Sequence, residues 1–249
     1  MICLLTEQIT ASVFERAERL RVVANVAVGY DNVDVAAATR AGVVVCNTPG
    51  VLTEATADLA FALILAAARL LPSAEADIRG GGWTGWDMLA HLGRDVSGAT
   101  LGLVGYGAIA QAVARRATGF AMPVIHHART DTDEPGYRAD LDELLAEADV
   151  VSLHVPLTPA TRHLIDARRL GLLRPTAVLV NTARGPVVDE AALAAALHTG
   201  KLFAAGLDVY ENEPAISPAL LTAPRTVLLP HIGSATGTTR LRMARLAVD

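Results

Sequence analysis

The sequence predicts an α/β protein built on parallel sheet, and two observations carry that expectation. Short β-branched runs alternate with Ala- and Leu-rich helical stretches along most of the chain. A glycine-rich turn, Gly-Tyr-Gly-Ala-Ile-Ala at 105–110, joins one such run to one such stretch. Composition sets the outer limits. Over 249 residues, 52% are hydrophobic and 19% charged, which excludes a disordered chain. A net charge of -5 argues against a nucleic-acid-binding face, which needs a basic patch. Cys3 and Cys46 are too few for a disulfide framework and read as two unpaired thiols. The N-terminus shows no basic segment followed by an apolar run and a cleavage site. The most apolar stretch, 59–68, has about half of the roughly 20 residues a bilayer requires. The expectation is a cytoplasmic protein.

Taken in order, residues 22–28 read as a strand, 33–41 as a short helix and 43–46 as a second strand. Asn47-Thr48-Pro49-Gly50 is a turn signal, and a long helix is expected over 53–71. The run 80–86, with four glycines and two tryptophans, cannot hold a helix and reads as an exposed loop. Strands follow at 100–104, 124–127, 150–155, 177–180, 204–209 and 227–229. Helical stretches lie near 109–118, 141–147, 161–173 and 190–197. Six apolar strands with helical crossovers are what a doubly wound Rossmann domain requires. We place that domain at 51–233. Segments 1–50 and 234–249 then form a second unit with only two readable strands.

The turn fits the pattern G-x-G-x-x-(G/A). Gly105 permits the tight turn, Gly107 permits close approach of a pyrophosphate, and small Ala110 permits close helix–strand packing. Ala108 and Ile109 open the helix and offer free N–H groups to phosphate. An Asp or Glu about 20 residues further on would bind the ribose hydroxyls of NAD. Here the second strand runs into Ala128-Arg129-Thr130, and the nearest carboxylate is Asp131. Arg129, with the Thr130 hydroxyl, suits a 2′-phosphate, which favours NADP over NAD. The alternative is a solvated Arg129 with Asp131 on the ribose.

Three segments after late strands lie where ligands gather in open α/β sheets. They supply an arginine (Arg184), carboxylates (Asp208, Glu211, Glu213) and a histidine (His231). Hydride transfer to an α-keto acid needs those types. Histidine suits proton donation to the carbonyl, an acid stabilises its charged form, and arginine clasps a carboxylate bidentately. The remaining histidines show no metal-ligand spacing, so no metal site is expected.

Several co-ordered motifs are similar to those of the D-isomer-specific 2-hydroxyacid dehydrogenase family. They stand at 102–114, at His154-Val155-Pro156-Leu157-Thr158, at 180–193, at 206–214 and at 229–235. The segments around Trp86, at 127–130 and at 231–236 resemble the glyoxylate/hydroxypyruvate reductase branch in particular. The resemblance implies an incomplete flavodoxin-like substrate domain beside the Rossmann domain. It implies that Arg184 holds the substrate carboxylate, that His231 donates the proton and that Glu213, rather than Glu211, pairs with His231. It places the backbone N–H groups of Val28 and Gly29 on the substrate carboxylate. Pro156, Thr182, Ala183, Asp208 and Gly233 surround the nicotinamide, with Asp208 accepting from its carboxamide. A homodimer is implied, with Trp86 reaching the neighbouring subunit's substrate pocket. Two departures stand out. Ala108 occupies the place of the family's usual arginine. The family also carries a further strand–helix–strand unit before residue 22 and an extension past Asp249, which implies a truncated chain or a misassigned start at Met1. The function expected is reduction of glyoxylate or hydroxypyruvate. The alternative is an inactive fragment or a nucleotide-binding, redox-sensing module like the family's corepressors.

Overall fold

The computed structural model describes residues 1–131 and 133–249. The chain divides into two compact units, Met1–Ala55 with Ser234–Asp249, and Thr56–Gly233. The first division falls five residues beyond position 50, inside the first turn of a helix.

The first unit alternates β1 (Ile2–Cys3), α1 (Ala11–Arg16), β2 (Val22–Asn25), α2 (Val35–Arg40) and β3 (Val44–Cys46), and adds the C-terminal helix Gly237–Val248. Its strands form a parallel sheet in the order β1-β2-β3, with Ile2 opposite Ala24 and Val22 opposite Val44. Cys3, Phe14, Val23, Ala38 and Val43 fill its core. Two strands were expected here and three are present. β1 has two residues, too few to show any periodicity, and exists through its pairing with β2. β2 also stops at Asn25, short of position 28.

The second unit takes in α3 (Thr53–Ala68) beyond its first turn, then α4 (Leu71–Arg79) and a six-stranded sheet. The sheet strands are β4 (Leu101–Val104), β5 (Val124–His127), β6 (Val150–Leu153), β7 (Val178–Asn181), β8 (Ala204–Leu207) and β9 (Thr226–Leu228). Between them run α5 (Ala108–Ala117), α6 (Leu141–Glu147), α7 (Ala167–Leu170), α8 (Glu190–His198) and α9 (Pro218–Leu221). The order is β5-β4-β6-β7-β8-β9, all parallel. Winding reverses between β4 and β6, so the ligand crevice of such a sheet lies at their carboxyl ends. Residues 136–138 add a short parallel edge to β5, where His126 N–H donates to Gly136 O (2.9 Å) and Arg138 N–H to His126 O (2.7 Å).

Both faces of this sheet are covered. Leu101, Leu103, Val178 and Val180 pack with Phe61 and Ile64 of α3 and Val113 of α5. Val104, Val151, Leu153 and Leu179 pack on the other face with Leu144 of α6 and Leu193 of α8. This explains why the strands read as unbroken apolar runs. Gly102 is small for a reason, since a Cβ there would lie 2.8 Å from Ala148 Cβ and from Leu144 Cδ2.

Two helices differ from expectation. The stretch 53–71 breaks after Ala68, with Leu70 left-handed (φ 54°), and α4 restarts with a proline in its first turn. The stretch 161–173 is helical only over Ala167–Leu170. The Thr161 hydroxyl diverts the preceding backbone by donating to Pro156 O (2.6 Å) and accepting from Thr158 N–H (2.8 Å). Asp166 then starts the helix by accepting from Arg169 N–H (2.8 Å). Among the described residues no single helix is long and apolar enough to cross a membrane. Only α3 and α4 together reach that length, and they are bent by 65°.

Candidate active site

The crevice begins at Gly105, whose N–H donates to His127 O (2.8 Å). Its φ is +89°, and a Cβ there would lie 2.5 Å from His154 O, so the turn admits only glycine. Gly107 differs. It caps α5 without a side-chain bond, and a Cβ there would meet nothing within 4 Å. The protein's own packing does not require this glycine; an approaching ligand would. The N-terminal N–H groups of α5 at Ala108 and Ile109 have no side-chain cap, and Ala110 is fully buried against the sheet. Together these features fit a pyrophosphate. Arg129 and Thr130 are exposed beyond β5, and Arg129 bonds to no described residue. Tyr106 stacks on His126, with ring centroids 3.7 Å apart, and burial pushes the His126 pKa down.

Three loops assemble the polar end of the crevice. At the end of β7, Asn181 Nδ2 donates to Arg184 O (2.9 Å) and its Oδ1 accepts from Ala183 N–H (3.0 Å). That Asx turn shapes the Thr182-Ala183-Arg184 loop. Gly185 follows because a Cβ there would run into the backbone of Tyr210. The contact brings the second loop, 208–213, against the first. Tyr210 N–H donates to Glu213 Oε1 (3.0 Å), and Tyr210 Oη–H donates to Leu229 O (2.9 Å), which leads to the third loop. There His231 sits in the left-handed region (φ 54°). Buried Asp208 accepts from Ile232 N–H and Gly233 N–H, both at 2.7 Å.

In this frame His231 Nδ1 lies 2.7 Å from Glu213 Oε2. Burial opposes ionisation of Glu213. The bond from His231, the Tyr210 N–H and the charges of His231 and Arg184 outweigh it, holding the carboxyl below its usual range. Nδ1 is thereby committed to the carboxylate, and Nε2 bonds to no described residue. Of the two candidate acids, Glu213 meets His231, whereas Glu211 lies 2.6 Å from His163 Nε2. Burial pushes the Asp208 pKa up, although its two backbone bonds favour the charged form. The carboxylate expected to meet a carboxamide therefore also fixes the backbone behind His231.

Thr182 Oγ1 is buried with no hydrogen-bond partner among the described residues, an orphan that a bound cofactor would satisfy. Sequence reasoning missed Glu190, which accepts from Glu211 N–H (3.0 Å) and Ser217 N–H (2.7 Å) and so steadies the Glu213 loop at two points. Its only signal was a carboxylate directly after the helix cap Asp189. In the first unit, the Val28 and Gly29 N–H groups bond to no described residue. Trp86 is 81% exposed. Among the described residues no group of three His, Cys, Asp or Glu is placed to hold a metal.

A parallel sheet with a glycine turn at its switch point, beside an Arg–Glu–His cluster, defines a nicotinamide-dependent oxidoreductase. Comparison with known proteins narrows the class. Residues 61–233 match the D-isomer specific 2-hydroxyacid dehydrogenase, NAD binding domain. The glyoxylate reductase of Thermococcus litoralis is 48% identical over 255 residues, covering 99% of this chain and 77% of the relative. The crystal structure of the TT0316 protein from Thermus thermophilus superposes with a TM-score of 0.94 at 51% identity, covering 99% of this chain and 79% of that one. The NADPH-dependent glyoxylate/hydroxypyruvate reductase of Sinorhizobium meliloti, solved with NADP and malonate, gives 0.93 at 42% identity over 100% and 78%. The chain belongs to the D-isomer-specific 2-hydroxyacid dehydrogenase family.

His154 generates a pH prediction. It directly follows β6, with Nε2 2.9 Å from Ser152 Oγ, and desolvation lowers its pKa from 6.5 to about 4. The unfolded chain binds this proton more tightly than the native one. The native state is therefore favoured fully above about pH 6.5 and loses that advantage as pH falls toward about 4. The loss amounts to at most about 3 kcal/mol. Urea denaturation at pH 7 and pH 4.5 should show it in the wild type and a smaller pH effect in His154→Gln. Equal pH effects in the two proteins would contradict the assignment.

Proposed function

We propose that this enzyme reduces glyoxylate or hydroxypyruvate to the corresponding 2-hydroxy acid, with NADP(H) preferred over NAD(H). The observation that carries the reading is the 2.7 Å His231–Glu213 pair, with the Arg184 charge acting on the same carboxylate. Identity near 50% to glyoxylate reductases supports the substrate class. When bound, a reduced nicotinamide supplies the hydride. Arg184 binds the substrate carboxylate and polarises the keto oxygen. His231 holds a proton on Nε2, facing away from Glu213, and delivers it to that oxygen. Glu213 is the counter-ion that keeps the ring oriented and stabilises its charge. Asp208 and Gly233 keep His231 in place and, with Pro156, Thr182 and Ala183, line the nicotinamide end. Gly105, Gly107, Ala108 and Ile109 hold the pyrophosphate, and Arg129 with Thr130 holds a 2′-phosphate. In the first unit, the Val28 and Gly29 N–H groups bind substrate carboxylate.

The same proposal includes a cytoplasmic homodimer. Its support is an exposed apolar run, Trp83, Trp86, Met88, Leu89 and Leu92, preceded by α4, which buries none of its residues. Runs of exposed apolar side chains mark interfaces. Trp86 would reach the partner's substrate pocket.

Loss of NADPH absorbance with glyoxylate or hydroxypyruvate tests the activity. His231→Ala should lower kcat by about 10²–10⁴-fold while leaving NADPH binding nearly intact; unchanged turnover would refute its role. Cofactor binding without turnover in the wild type would point instead to a binding module. Arg129→Ser should raise the KM for NADPH by roughly tenfold or more and leave that for NADH within about twofold. Equal effects on both would remove the 2′-phosphate assignment. Sedimentation should give a dimer, and Trp86→Ala should raise the KM for keto acid only in the dimer. A wild-type monomer with full activity would exclude both claims.

A further inference from the structure

Beyond Val26, whose N–H still bonds to Cys3 O of β1 (2.9 Å), the turn after β2 has neither ladder nor helix bonds to fix it, yet its peptides are tightly specified. In a trans peptide the C=O of one residue and the N–H of the next point in opposite directions, so fixing the carbonyl aims the following N–H. Ala27 C=O accepts from Thr48 N–H at 2.8 Å, which aims the Val28 N–H. Val28 C=O accepts from Asn47 Nδ2 at 2.8 Å, which aims the Gly29 N–H. Gly29 C=O accepts from Asn25 Nδ2 at 2.8 Å. Asn25 is fully buried and bonds also to Asn32 Oδ1 at 3.0 Å. Asn32 Nδ2 in turn donates to Leu4 O (3.1 Å) and Glu7 O (3.0 Å).

Glycine would otherwise let the two peptides swing independently. Here an asparagine amide clamps the peptide on each side of Gly29. The clamping segment is itself stiff, because Thr48 precedes Pro49, which restricts it to extended backbone, and β3 ends directly before it at Cys46. We infer that Asn47-Thr48 is the element that aims the carboxylate-binding N–H groups of Val28 and Gly29, with Asn47 a positioning residue for the Gly29 donor. This rests on the carboxylate-binding reading of those two N–H groups. It accounts for Asn47-Thr48-Pro49-Gly50, a turn motif that the hydride-transfer chemistry leaves unused. Two aligned donors to one carboxylate are charge-assisted bonds, which weaken steeply when misdirected.

The test compares glyoxylate with its methyl ester, which keeps the reacting carbonyl and lacks the negative charge. Asn47→Leu keeps about the same size and removes the donor without adding charge; Asn47→Ala removes both. Each should raise the KM for glyoxylate by about 10–100-fold. The kcat, the NADPH Kd and the KM for the ester should each stay within about threefold. Circular dichroism and NADPH titration establish that the variants are folded. Equal losses on acid and ester, or no change on either, would overturn the positioning role while leaving the proposed function intact. A wild type that reduces neither keto acid would overturn the function and this inference together.

Discussion

The candidate active site depends on one buried carboxylate. Asp208 lies at the end of β8 with almost no exposure and accepts two 2.7 Å bonds from consecutive N–H groups beyond His231. Removing a carboxylate from water is unfavourable unless it is hydrogen-bonded, and these two donors are its compensation. The same bonds hold His231 in a left-handed conformation that a non-glycine residue enters at a cost of roughly 1–2 kcal/mol. That conformation sets Nδ1 against Glu213 and turns Nε2 away from it. The His231–Glu213 pair and the His231 N–H bond to Leu229 O (3.1 Å) hold the loop as well, but only Asp208 fixes the two peptides that follow His231.

Glycines play the matching part between loops. Side chains hold each loop from within, and missing side chains let neighbouring backbones close on one another. Gly185 sits against the Tyr210 backbone and Gly105 against His154 O, so the loops after β7 and β8, and after β4 and β6, reach contact distance. Gly107 makes no such contact. Glycines around the crevice therefore differ in physical reason. Gly105 and Gly185 are demanded by folding; Gly107 is not, and a ligand approaching the turn would require it.

Much of the architecture is legible in the sequence alone. The strands of the second unit could be read because burial on both faces makes them apolar runs, and the Gly105–Ala110 turn could be placed because a strand precedes it and a helix follows. β1 was not legible, since two residues carry no period and its existence depends on β2. The break at Leu70 and the loss of helix over 161–166 were hidden for a related reason. Both stretches have helical composition, and the deciding features are a left-handed residue and a Thr161 hydroxyl that competes for backbone groups. At the site, residue types pointed to Arg184 and His231, the family resemblance chose Glu213 over Glu211, and the pairing of each acid with a different histidine agrees with that choice. Glu190 could not be found because its work is done on backbone N–H groups 21 and 27 residues away.

The two units solve the same problem with different chemistry. In the second unit, the Asn181 amide shapes the loop after β7, while carboxylates (Asp208, Glu190, Glu213) organise the loops around His231 by accepting from backbone N–H groups. In the first, amides (Asn25, Asn47) do so by donating to backbone carbonyls. The difference fits the roles proposed for the two loops. The loop that carries His231 sets the Glu213 carboxylate against its Nδ1, which orients the ring. For the proposed binding of an anionic substrate at the Val28 and Gly29 N–H groups, amide donors fix the turn's geometry without adding charge. An Asn-rich support beneath a turn of unbonded N–H groups is therefore consistent with an anion as the ligand, and an acid-rich one beneath a histidine with a proton as the cargo.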